Sequence, residues 1–288
     1  MVESIKELRR ICGSKKKQPL YMELVSMKIS IYITKLLLYT KISADYVTLA
    51  MIFLLVIGSM LMAFGGFAGL GLWSILIGIL IIHFTIFLDN VNGEVARYWK
   101  EDGLIGTFLE QVYHNIAVPF IFFSLAFGVF LKTGYKSALI FGFLCSVFGK
   151  PIILNSIKDA VIDERLSEIK SGKKAKLHLT GKANIKGGST KTGESLYKSY
   201  DFLREFWVYP ANIVHITILA ILEILNSNFG FFASMPQYTL LYIYLIAYGS
   251  ISTLIQAIAF IVNYKGRTVD HYYQKLFCTK TLFKRFRK

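Results

Sequence analysis

The chain has 288 residues, of which 54% are hydrophobic and only 18% charged, and its mean hydropathy is +0.50. That balance excludes an ordinary soluble domain, which needs more polar surface at this length, and points to a protein that crosses a membrane several times. The net charge of +15 sits beside apolar runs, which argues for membrane topology and against nucleic acid as a partner.

In chain order, residues 1–45 form a basic segment with Lys6, Arg9, Arg10, Lys15, Lys16 and Lys17, followed by PLYMELVSMKISIYITKLLLYTK. Lys28, Lys35 and Lys41 are spaced along that second stretch. It reads as an amphipathic helix lying in the membrane interface, with a short extra span as the alternative. The first long apolar run starts only after this mixed segment, so no cleavable signal peptide is expected.

Six runs then approach the roughly 20 apolar residues that a spanning helix needs. They are residues 47–67, 71–89 with helix continuing to 99, 105–131, 138–157, 208–225 and 238–264. The predicted fold is an all-α polytopic membrane protein, with its membrane domain over residues 46–264. A basic, Gly-rich loop at 164–199, with a small hairpin around Thr180 and Gly181, and a basic tail at 265–288 complete the chain. Lys and Arg crowd the N-terminal segment, the 164–199 loop and the tail, while the opposite connections hold only Lys132 and Lys136. Both termini are therefore expected in the cytoplasm. With no retention motif in the tail, a prokaryotic plasma membrane is the expected location. Cys12, Cys145 and Cys278 show no paired spacing and read as free thiols.

The polar residues concentrate in FLDNVNGEVARYWKEDGLIGTFLEQVYHN, residues 87–115. On one helix, Asp89, Asn92, Gly93, Ala96 and Arg97 share a face. On the next, Gly106, Glu110 and His114 do the same. A turn at Asp102 and Gly103 sets the two antiparallel, so the polar faces meet. Lys100, Glu101 and Asp102 read as ordinary helix-end solvation. The facing stripes do not, because ionisable groups at this depth are costly and mark function by default.

This stretch resembles the signature of the CDP-alcohol phosphotransferases: Asp-x-x-Asp-Gly-x-x-Ala-Arg, eight residues, then Gly-x-x-x-Asp-x-x-x-Asp. The chain reads Asp89-x-x-Asn92-Gly93-x-x-Ala96-Arg97, eight residues, then Gly106-x-x-x-Glu110-x-x-x-His114, with every spacing kept and five of eight positions identical. KISADYVTLAMIFLLVIG also looks like the family's approach to its first span. The resemblance implies transfer of a phosphoalcohol group from a CDP-alcohol to an acceptor hydroxyl, with release of CMP, in phospholipid or related phosphodiester synthesis. It implies a divalent cation, Mg or Mn, on Asp89, Asn92 and Glu110. It also implies a base at His114, and a nucleotide cradle of Gly93, Ala96, Arg97 and Gly106. A homodimer working among membrane lipids is implied as well. The chemistry fits the residue types, since hard divalent cations take oxygen ligands and neutralise charge on a transferred phosphoryl group.

Three departures stand out. Asn92 is neutral where the family has a carboxylate, Glu110 is one methylene longer than aspartate, and His114 offers an imidazole with an unperturbed pKa of about 6.5. Two of four negative charges remain, so one tight cation or two weak ones is expected. Lys150 is a candidate for an acceptor or lipid phosphate, against the alternative of a lysine snorkelling to the interface. The donor alcohol and acceptor are left open. A catalytically impaired relative that binds CDP-alcohol and regulates a partner is the second reading. A channel or transporter is the third, and it is weakened because the remaining intramembrane acid, Glu223, lies alone near a span end.

Overall fold

The computed structural model describes residues 3–13, 21–67, 69–101, 103–170, 207–231, 235–270 and 273. Among them the regular elements are all helical: α1 (Ile5–Cys12), a π-helical turn (Met22–Ser26) leading into α2 (Met27–Leu38), α3 (Ala44–Phe64), α4 (Leu72–Trp99), α5 (Leu104–Thr133), α6 (Lys136–Phe148), α7 (Ile152–Lys170), α8 (Ala211–Phe229) and α9 (Thr239–Lys265). Five of these, α3, α4, α5, α8 and α9, are long and apolar enough to cross a membrane. Large exposed side chains along them, such as Phe53, Leu80, Phe123 and Leu254, are what a helix among acyl chains presents.

The chain divides into two compact units, Met1–Lys150 with Leu203–Ser250 and Pro151–Phe202 with Ile251–Lys288. In the first, α3 packs against both α4 and α5, and α4 also receives α1, α2 and α8. Its core stripes repeat at helical spacing: Met51, Leu55 and Met62 on α3, and Ile75, Ile79, Ile82 and Ile86 on α4, each no more than 1% exposed. Small residues let the backbones close up. A Cβ on Gly58 would lie 2.7 Å from the Gly78 carbonyl oxygen, and one on Gly128 would lie 2.3 Å from the Met62 carbonyl oxygen. Without a hydrophobic drive between helices in lipid, this close packing is a main source of helix association. In the second unit, the Ile153 amide donates to Gln256 Oε1 at 3.5 Å, and Ile157 and Val161 are buried.

The fourth expected span, 138–157, is not one helix. α6 ends at Phe148 and α7 begins at Ile152. Pro151 lacks an amide hydrogen and disfavours helical geometry at the residue before it. Hydropathy runs on through Gly149-Lys150-Pro151 and hides the break. The 13 residues of α6 rise about 20 Å, short of the roughly 30 Å hydrocarbon layer. Lys150 therefore stands in the break and not inside a span. The predicted loop at 164–199 also begins later, because α7 continues to Lys170. The hairpin predicted at Thr180 and Gly181 lies outside the described residues, as does Cys278. Cys12 and Cys145 are free and buried, and burial pushes the Cys12 thiol up to about 11.

At the N-terminus, α1 opens with Ser4 accepting from the Glu7 amide at 3.3 Å, as in a Ser-x-x-Glu capping box. α2 turns its hydroxyl side inward. Ser26, Ser30 and Thr34 are fully buried, while Leu24, Ile29, Tyr32, Leu36 and Tyr39 are exposed. An amphipathic helix in water packs the other way. Where the surroundings are lipid, the polar stripe is the one that must find partners inside the protein.

Candidate functional site

α4 runs unbroken for 28 residues, from the apolar core to Trp99. Lys100 closes it in a left-handed conformation with φ 55°, and the Glu101 amide donates back to the Ala96 carbonyl at 2.9 Å. The chain then re-enters helix at Leu104. The Glu101 side chain accepts from the Ala44 amide at 3.0 Å. It satisfies the first turn of α3, a firmer role than the solvation expected of it. Asp102 lies outside the described residues.

Where α4 and α5 face each other, they meet through side chains. Thr85 Oγ1 and Tyr113 OH are 2.7 Å apart, and Tyr113 OH lies 2.9 Å from Tyr209 OH. One turn beyond Thr85 comes Asp89, and the residue after Tyr113 is His114. His114 Nε2 is 3.6 Å from Asp89 Oδ1 and 3.8 Å from Glu110 Oε1. One ligand atom from each of the three lies within 4.8 Å of the others. Asp89 is the most sheltered, with its side chain 14% exposed, whereas that of Glu110 is 49% exposed. The cluster is thus buried on the α4 side and open on the α5 side, as a site needs if a ligand is to reach it.

Asn92, the third expected cation ligand, is 8% exposed and shares the α4 face with Asp89.

Of the expected nucleotide cradle, Arg97 is exposed and engaged, its Nε donating to the Cys12 carbonyl at 2.5 Å. Gly93 makes room for that guanidinium, since a Cβ there would lie 3.1 Å from Arg97 Nη1. Ala96 is half-buried against the core. Gly106 faces Asp45, whose Oδ1 would be 3.1 Å from a Cβ at that position. Asp45 is a carboxylate beside the motif that sequence reasoning passed over, because it sits in the first turn of another helix, α3. Lys150 donates to the Asn115 carbonyl, which puts its ammonium next to the residue that follows His114.

A second polar group on α4 also went unselected. Glu94 is 5% exposed and accepts from Ser30 Oγ at 2.7 Å and from Thr34 Oγ1 at 2.5 Å. Asn90 donates to Ser26 Oγ at 2.5 Å. The regular spacing of Ser26, Ser30 and Thr34 was the available signal. Further along, Tyr21 OH lies 2.7 Å from His83 Nδ1, and His83 Nε2 lies 2.8 Å from Thr217 Oγ1. Burial raises the Tyr21 phenol above its ordinary range, so it stays protonated. Glu223, the acid weighed against a transport pathway, accepts from the amides of Tyr238 at 3.0 Å and Leu240 at 2.6 Å, capping the start of α9.

No family model matches the chain, and no curated protein matches it. The functional reading accordingly rests on the motif and the geometry of its residues.

Proposed function

We propose that this chain is an integral-membrane CDP-alcohol phosphotransferase, working where the α4–α5 turn meets the cytoplasmic interface. The observation that carries the reading is the meeting of Asp89, Glu110 and His114 within 4.8 Å, from three positions of the signature. The donor set fits a divalent cation: two carboxylates offer hard oxygens and two negative charges, and Asn92 stands one turn along the same face. Asp89 and Glu110 would hold the cation. Bound there, it would neutralise charge on the donor diphosphate and on the phosphoryl group in transit.

The chain's own residues account for the rest. Arg97 offers a guanidinium to the nucleotide phosphates once it leaves the Cys12 carbonyl, and Gly93 leaves it room to swing. Lys150, tied beside Asn115, supplies positive charge on the α5 side, where an acceptor or lipid phosphate would lie. The acceptor hydroxyl loses its proton, its oxygen bonds to the β-phosphorus, and the bond from that phosphorus to the CMP oxygen breaks. The resemblance gives the proton-accepting role to position 114. Donors to test are CDP-diacylglycerol, CDP-ethanolamine and a CDP-linked polyol. The purified protein, reconstituted in lipid with Mg or Mn, should release CMP from at least one of them in the presence of an acceptor alcohol. Failure across the panel, with nucleotide still bound, would remove the reading.

A second reading follows from the departures in the signature: with neutral groups at Asn92 and His114 in place of two carboxylates, the chain would bind a CDP-alcohol without turning it over and would serve as a regulatory binding protein.

A further inference from the structure

An imidazole replaces a carboxylate at the last signature position. Its Nε2 is turned toward Asp89 and Glu110, at 3.6 and 3.8 Å, instead of standing clear of them. Two atoms bound to one first-row metal ion at about 2.1 Å can be no more than about 4.2 Å apart. Both separations fall inside that limit, and with all three ligand atoms within 4.8 Å of one another, small side-chain adjustment brings them onto one ion. Two carboxylates with a neutral imidazole balance the charge of a single divalent ion. Mg strongly prefers oxygen ligands and holds its waters, whereas imidazole nitrogen suits Fe, Ni, Cu and Zn, and among first-row divalent ions affinity for a site with nitrogen rises from Mn through Fe and Co.

Resting on the reading that this cluster holds the cation of a phosphotransferase, we propose that His114 is a ligand through Nε2. The site then takes one transition-metal ion in preference to Mg. Position 114 therefore selects the metal, in place of the base role that the resemblance implies for it, and the acceptor's proton passes to water at the open α5 side. The buried Asn92 amide, on the same α4 face as Asp89, is the neutral oxygen such a site accommodates without adding charge.

The test uses the purified full-length protein in lipid nanodiscs, titrated with Mn, Co and Mg alone and with no substrate present. One Mn should bind per chain, and pulsed EPR of the bound ion should show coupling to an imidazole nitrogen. Mg should compete more weakly than Mn. His114→Asp makes the donor set all oxygen, so the nitrogen coupling should vanish and the preference should move toward Mg. If that variant does not fold, the nitrogen coupling and Mg competition of the unaltered chain decide alone. Absence of nitrogen coupling, or Mg binding as tightly as Mn, overturns the proposal. Metal preference that follows residue 114 while no CDP-alcohol yields CMP would uphold the ligand and remove the transferase. CMP release on Mg, with a preference indifferent to His114→Asp, would do the reverse.

Discussion

Asp89 and Glu94 lie five residues apart on one helix, both in sheltered positions, and their surroundings are opposites. Glu94 faces α2 and receives two hydroxyl hydrogens, from Ser30 and Thr34. Its neighbours are donors, so the group is satisfied where it stands. Asp89 faces α5 and meets a second carboxylate and an imidazole. Both carboxylates there face the one imidazole of His114, where Glu94 has two hydroxyl donors. Burial of an acid in a membrane helix is therefore not by itself a functional signal. The kind of atom opposite it separates an acid tied to hydroxyl donors from one set against a second carboxylate and an imidazole.

Breaking the Asp89 side should have the largest effect. Asp89→Ala removes the most sheltered anchor, and CMP release is expected to fall to background with a large loss of divalent-ion affinity. Paired assays of turnover and metal titration check this. Next comes the other side of the helix. Glu94→Ala leaves the hydroxyls of Ser30 and Thr34 without their acceptor and should cost about 1–3 kcal/mol of stability, seen as a lower thermal midpoint in detergent. Its metal affinity should match that of the unaltered chain. A Glu94→Ala variant that loses metal binding while staying folded would collapse the distinction between the two faces.

Asn92→Asp sharpens the comparison from within the site. A third carboxylate on the Asp89 face should lower the half-saturating concentration of Mg or Mn about tenfold, the order of effect seen when a metal's surroundings change. No movement in the titration would show that residue 92 is not a ligand. The smallest effect is expected at the turn. Glu101→Ala removes the acceptor of the Ala44 amide and should cost about 0.5–1 kcal/mol, with no change in metal affinity.

Much of this arrangement was open to reading from the sequence, and where it was not, the cause is physical. The long spans α3, α4, α5, α8 and α9 lie close to the expected runs, because each carries a long apolar stretch bounded by Gly, Pro or polar residues. The facing of Asp89 and His114 followed from helical periodicity and a short turn. The break at Gly149-Lys150-Pro151 did not, since average hydropathy does not register one proline. The inward hydroxyl face of α2 went unread, because the interfacial-helix reading rested on the spacing of Lys28, Lys35 and Lys41 and not on Ser26, Ser30 and Thr34. Glu94 was visible but unassigned. Its partners lie some 60 positions earlier in the chain, and the spacing of Ser26, Ser30 and Thr34 marks a hydroxyl face without saying which helix it meets. The Cys12 carbonyl on Arg97 is of the same kind, because a backbone acceptor leaves no mark in residue identity.

The most direct test measures CMP release side by side for the unaltered chain, Asp89→Asn and Glu94→Gln. Each is reconstituted in lipid with the same CDP-alcohol panel, with divalent cation or with chelator. The account predicts cation-dependent CMP release from the unaltered chain and from Glu94→Gln, and none from Asp89→Asn or under chelation. Release that survives in Asp89→Asn, or that persists in chelator, would contradict it.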